Sequence, residues 1–268
     1  MTLSRSRSVS FFILALFAVL INPAISSRAS SFIKLPNSDE FPDESPDESQ
    51  VIAHCAAWRL AVETDNAGEW KVVPRGCVPY VKNYYSSGQF DADYDVLVVY
   101  ITNYAKTIKL AGNGKDAWVF DIDETLLSNF PYYKAHHGYG SEPYDNTQFN
   151  RWVVTGKAPA FDAGLRLYNA LKELGFTIIL LTGRDESQRS ITEKNLLYAG
   201  YSGWNRLLLR GHEDQGKSAT QYKSEQRSKV VKEGYTIHGS TGDQWSDLQG
   251  FALATRSFKV PNPLYYIA

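Results

Sequence analysis

A basic excess, an internal repeat, an N-glycosylation sequon and a late apolar run are all missing from this 268-residue chain, and cysteine is reduced to two residues. With 28 basic and 29 acidic side chains the formal charge is −1, so the chain lacks the cationic footprint of a nucleic-acid partner. The absence of repeats excludes a stacked array. No stretch beyond the N-terminus is apolar for the roughly 20 residues that a spanning helix requires, which leaves no membrane partner once that N-terminus is removed. What is present is core material: 43% of residues are hydrophobic and 13% aromatic, enough for one domain of ordinary size or one with a modest insertion.

Residues 1–26 read as a secretory signal peptide. Arg5 and Arg7 form a positive n-region, Val9 to Ile21 is a 13-residue apolar run holding one serine, and Ala24-Ile25-Ser26 offers small residues for cleavage. Losing the two arginines leaves 26 bases against 29 acids, a charge of −3. The expected destination is the secretory pathway, ending outside the cell or in the vacuole. Residues 27–50 form an acidic leader: PNSDEFPDESPDESQ (36–50) carries six acids, no base and three prolines, and such a composition has too little apolar surface to fold. In a secreted chain the even pair Cys55 and Cys77 suggests a disulfide, and two free buried thiols are the alternative.

The folded part is expected over 51–268. Residues 51–66 and 89–109 have helical spacing, with Val96, Val99, Tyr100, Tyr104 and Ile108 on one apolar face of the second. From residue 116 strands alternate with helices. The strands are expected at 117–120, 176–181, 206–209, 235–239 and 251–254, and the helices at 161–174, 187–199 and 219–233. That alternation predicts an α/β fold, a parallel sheet with helices on both faces. Ligands of such sheets gather beyond the carboxyl ends of the strands.

The residues at those ends carry the chemistry. The first strand runs into Asp121-Ile122-Asp123-Glu124-Thr125, the second into Thr182-Gly183-Arg184, and the fourth into Gly242-Asp243 with Asp247 four further on; Lys223 and Arg227 lie on the helix after the third. Two like charges about 4 Å apart repel by about 4 kcal/mol at an effective dielectric of 20. Asp121, Asp123 and Asp243 therefore call for a cation among them or a proton on one of them. A hard oxygen-seeking ion such as Mg²⁺ meets the first need, and a crowded carboxyl with a raised pKa makes a general acid. Thr182, the Gly183 amide and Lys223 would hold an anion, with Lys217 and Lys229 as alternatives to Lys223. A divalent ion on one side and donors on the other describe phosphoryl chemistry. A calcium-binding EF-hand loop fails, because Leu126 and Tyr132 stand where Gly and Glu are required.

The motifs Asp121-x-Asp123-x-Thr125, LLTGR (180–184), Lys223 and Gly242-Asp243-x3-Asp247 resemble the four signatures of the haloacid dehalogenase (HAD) superfamily. CAAWRLAVET (55–64), PYY (131–133), YKSEQR (222–227), GDQWSD (242–247) and PNPLYY (261–266) are similar to its plant acid phosphatase and vegetative storage protein branch. The resemblance implies a three-layer Rossmann-like core with a small helical cap, here 127–160 with Phe130, Tyr132, Tyr133, Tyr139 and Trp152. It further implies a Mg²⁺-dependent acid phosphatase acting on small phosphate esters. Asp121 would attack phosphorus, Asp123 would act as acid and base, and Asp121, the Asp123 carbonyl and Asp243 would hold Mg²⁺. Thr182, Gly183 and Lys223 would bind phosphate, Asp247 would orient water ligands of the ion or Lys223, and a homodimer is implied. Storage members of the branch that lack the first aspartate would lack the nucleophile; this chain has it. A storage protein with incidental activity is the second reading.

Overall fold

The computed structural model describes residues 48–267. The expected signal peptide, and the leader up to residue 47, lie outside the described residues. Glu48 already opens helix α1 (Glu48–Glu63), so the last residues of the acidic segment are helical. Helices α2 (Val78–Ser86) and α3 (Gln89–Lys106) follow. The sequence pattern did not announce α2, whose first turn contains a proline, a position where no amide hydrogen is needed.

Five parallel strands then build one sheet: β1 (Asp116–Phe120), β2 (Thr177–Asp185), β3 (Arg206–Arg210), β4 (Thr236–Gly242) and β5 (Arg256–Lys259), in spatial order β3-β2-β1-β4-β5. The expected α/β class holds. β1 lies at the centre with every residue buried, which is why residues 117–120 read as an unbroken apolar run. Its side chains alternate between two cores. Trp118 and Phe120 pack with Ile101 of α3 and with Leu167, Tyr168 and Leu171 of α6 (Asp162–Glu173). Ala117 and Val119 pack on the other face with Tyr222 and Val230 of α8 (Ala219–Lys232). Trp118 dictates its neighbour, since a Cβ on Gly239 of β4 would fall 2.4 Å from the indole ring. Helix α7 (Arg189–Tyr198) completes the first face through Leu196.

One expectation fails and another holds only in part. The fifth strand lies at Arg256–Lys259, not at 251–254. Gly250 and Ala252 have φ of 89° and 50°, which breaks an extended run, and the Phe251 carbonyl is held by the Arg227 guanidinium. Of the expected face of α3, Val96, Val99 and Tyr100 are exposed, whereas Tyr104, and Ile108 just past the helix end, pack on the core; Phe90, Tyr94, Ile101 and Ala105 are buried. The helix carries two apolar stripes. Tertiary contacts choose between them: the Tyr94 hydroxyl donates to the Thr125 carbonyl at 2.7 Å, and Phe90 and Tyr94 pack on Phe161.

Between β1 and α6 the chain forms α4 (Phe130–His136) and α5 (Asn146–Val153), within the expected cap. Its rings mostly pack. Tyr132 and Tyr133 are buried with Val73, Val81, Leu264 and the Cys55–Cys77 disulfide, and Phe130, Tyr139, Trp152 and Tyr265 lean on that cluster. No helix among the described residues is long and apolar enough to cross a membrane.

Candidate active site

The carboxyl ends of β1, β2 and β4 open into a cleft of about 640 Å³ lined by Asp121, Asp123, Gly183, Arg184, Lys223 and Asp243. Asp121 follows β1 directly and its amide still donates to Thr241 of β4 at 3.0 Å, so the sheet itself fixes its backbone. Beyond it the chain folds back, with the Leu126 and Leu127 amides both donating to the Ile122 carbonyl at 2.9 Å. The turn requires a left-handed Glu124, φ 58°, held because its buried carboxylate accepts from the Asn129 amide. Burial pushes the Glu124 carboxyl well above its ordinary range, and the negative charges of Asp243, Asp123 and Asp121 add to this.

Asp121, Asp243 and Asp247 converge, each buried, with one oxygen from each inside 4.8 Å of the others. The Lys223 ammonium joins two of them: it donates to Asp121 Oδ1 at 2.8 Å and to Asp247 Oδ1. The Thr125 hydroxyl stands 3.4 Å from both Asp121 Oδ2 and Asp243 Oδ1. Burial and the Asp247 charge raise Asp121 well above the carboxylate range and push Asp243 up to about 6. Burial opposes the Lys223 charge, yet its two carboxylate partners raise its pKa. Asp247 reaches this position because Gly242 gives way: a Cβ there would lie 2.4 Å from that of Asp247.

Asp123 stands apart from the trio. Its side chain faces Arg184, which donates from Nε to Oδ2 at 2.9 Å and from Nη2 to Oδ1 at 2.7 Å, while Asn129 Nδ2 adds a third bond at 2.9 Å. Burial alone would raise its pKa, but the guanidinium and these bonds outweigh that and hold it below the usual range. The expected raising of Asp123 by crowding is thus reversed, because the crowding falls on Asp121 and Asp243. Thr182 is fully buried and its hydroxyl oxygen accepts the Arg184 amide at 3.1 Å; Gly183 beside it lines the cleft.

Side chains at this centre with no assigned role in the sequence include Arg184, Asn129, Gln244 and Asn262, the last two donating to Asp243 Oδ2. Arg184 sat in view within the Thr-Gly-Arg run. Asn129 gave no signal, since amides are common in turns, and Asn262 was visible only as part of the PNPLYY run, with no role attached to it. The donors suit a hard divalent ion: oxygen ligands, buried, with negative charge left over after Lys223 is counted.

Residues 44–268 match the family described as HAD superfamily, subfamily IIIB (acid phosphatase). The chain is 45% identical over 253 residues to Acid phosphatase 1 of Solanum lycopersicum, covering 94% of this chain and 98% of that protein. It is 44% identical over 215 residues to the Stem 28 kDa glycoprotein of Glycine max (80% and 84% covered) and 39% identical over 217 residues to Vegetative storage protein 2 of Arabidopsis thaliana (80% and 81%). Among solved structures, the class C acid phosphatase of Bacillus anthracis shares the fold with a TM-score of 0.57 at 22% identity, over 69% of this chain and 83% of that one.

Proposed function

This chain belongs to the acid phosphatases of HAD subfamily IIIB, and from that membership we propose that it hydrolyses small phosphate monoesters through a covalent aspartyl-phosphate, with Asp121 as nucleophile. The observation that carries the reading is the buried convergence of Asp121, Asp243 and Asp247 at the carboxyl edge of the sheet, with Lys223 bridging Asp121 and Asp247.

In the first step a carboxylate oxygen of Asp121 bonds to phosphorus as the ester P–O bond breaks, and Asp123 gives its proton to the departing oxygen. In the second, water attacks the same phosphorus, Asp123 takes the proton back, and the Asp121–phosphorus bond breaks to release phosphate. Lys223, the Thr182 hydroxyl and the Gly183 amide neutralise the phosphoryl oxygens. Asp121, Asp243 and the Asp123 carbonyl would hold Mg²⁺, and Asp247 keeps Lys223 aimed at Asp121. When bound, the ion offsets the negative charge that builds on the transferring group. Phosphate release from a simple aryl ester, measured with Mg²⁺ and with EDTA for the parent and for Asp121→Asn, tests the reading; equal turnover by the variant refutes it.

Resemblance to vegetative storage proteins supports a second role as a nitrogen reserve. It is separated from the first by tissue abundance and by loss of the protein under nitrogen shortage. Both roles fit passage through the secretory pathway to the vacuole or the cell exterior.

A further inference from the structure

The last residues of the chain reach back into the acidic centre. Asp243 has two carboxylate oxygens in different surroundings. Oδ2 accepts from Gln244 Nε2 and from Asn262 Nδ2, both at 2.6 Å, whereas Oδ1 lies 3.4 Å from the Thr125 hydroxyl, which stands equally far from Asp121 Oδ2. Asn262 is 1% exposed, and its backbone N–H and both side-chain polar atoms are hydrogen-bonded. Its amide hydrogen goes to Glu63 Oε1 of α1 at 2.9 Å, and its Oδ1 accepts the Leu264 amide at 2.9 Å. Gln244 is fixed the same way, with Oε1 accepting the Ile267 amide at 2.8 Å. Lys259 holds the other Glu63 oxygen at 2.7 Å.

We infer that Asn262, together with Gln244, is a positioning residue for the divalent-ion site: the two amides occupy Asp243 Oδ2 and leave Oδ1 turned to the ion. This rests on the reading that Asp121 and Asp243 hold Mg²⁺. A carboxylate free to rotate presents either oxygen and loses orientation when it binds a metal; one pinned by two short amide bonds does not. Outer hydrogen-bond partners of metal ligands typically account for about 10–100-fold in metal affinity. The tail 261–267 then becomes part of the centre it closes, and α1 contributes through Glu63, although neither belongs to the sheet.

The test is Mg²⁺ titration of the full chain by calorimetry, alongside metal-free thermal melting. Asn262→Leu keeps the size and deletes the donor. It should weaken Mg²⁺ binding about 10–100-fold and raise the Mg²⁺ concentration that half-activates turnover by the same factor, with turnover restored at saturating Mg²⁺. Asn262→Ala leaves room for water to replace the amide and should lose less; it carries the test if the leucine variant does not fold. Mg²⁺ affinity within twofold of the parent in a folded variant overturns the inference while leaving the Mg²⁺ reading intact. Absence of Mg²⁺ binding by the parent overturns both.

Discussion

Arg184 grips both oxygens of Asp123, Nε on Oδ2 at 2.9 Å and Nη2 on Oδ1 at 2.7 Å, across 61 residues of sequence. The pairing bears directly on pH. In the proposed reaction Asp123 must hold a proton to serve as the acid, and Arg184 with the bonds it makes holds its pKa below the ordinary value. The protonated fraction therefore grows as pH falls, and the rate should rise toward acid. Arg184→Gln removes the largest influence opposing protonation, so the limb of kcat that falls toward higher pH should move toward neutrality. Profiles of parent and variant under the same saturating Mg²⁺ check this, and an unmoved limb contradicts it.

Lys223 is the partner of two buried carboxylates, Asp121 and Asp247. Lys223→Met leaves both unpaired. Breaking a buried pair in this way costs about 3–5 kcal/mol. Denaturant unfolding at pH 7 should show a loss of that order. The loss should shrink as the pH is lowered, because Asp121, already raised, takes up a proton and ceases to need a cation. A loss independent of pH would assign the effect to packing instead.

Divalent ion should stabilise the fold, since the trio exists in the folded chain only. At a concentration 100 times Kd, a ligand bound only by the native state adds about 2.7 kcal/mol. Melting should rise on adding Mg²⁺ and return with EDTA, and Asp243→Asn should largely abolish the rise. An equal rise in the variant would place the ion elsewhere.

These sites differ in how far the sequence announced them. Asp121, Asp123 and Asp243 were legible because strand and motif are contiguous: a short apolar run predicts where the side chain after it must emerge. Lys223 was legible from helix position, though Lys217 was an alternative until the structure paired it with Asp214 and Glu225. The Arg184–Asp123 lock was not legible, because it depends on how two neighbouring strand ends are spaced. Asn262 was less so: it lies beyond β5, which the spacing misplaced, and reaches Asp243 only through the path of the tail. The second apolar stripe of α3 misled for a related reason, since periodicity identifies a helix but not which of two faces is covered.

The disulfide offers the remaining prediction. Cys55 and Cys77 are 22 residues apart, and opening a loop of that size costs about 3 kcal/mol in the chain-entropy account. Cys55→Ser with Cys77→Ser should lower unfolding free energy by that order. The bridge also sits in the apolar cluster that supports Tyr133 and Tyr265, whose rings stack 5.2 Å apart and line the cleft. Neither ring touches Asp121 or Lys223 by hydrogen bond, whereas both shape the wall a leaving group would meet. Loosening the cluster should therefore raise KM for an aryl phosphate more than it lowers kcat, the pattern of lost ground-state binding. Steady-state kinetics on the double variant, below its melting range, decides the matter. A fall in kcat at constant KM would mean that the N-terminal helices act on the reacting carboxylates themselves, through Glu63 and Asn262, rather than on the cleft wall.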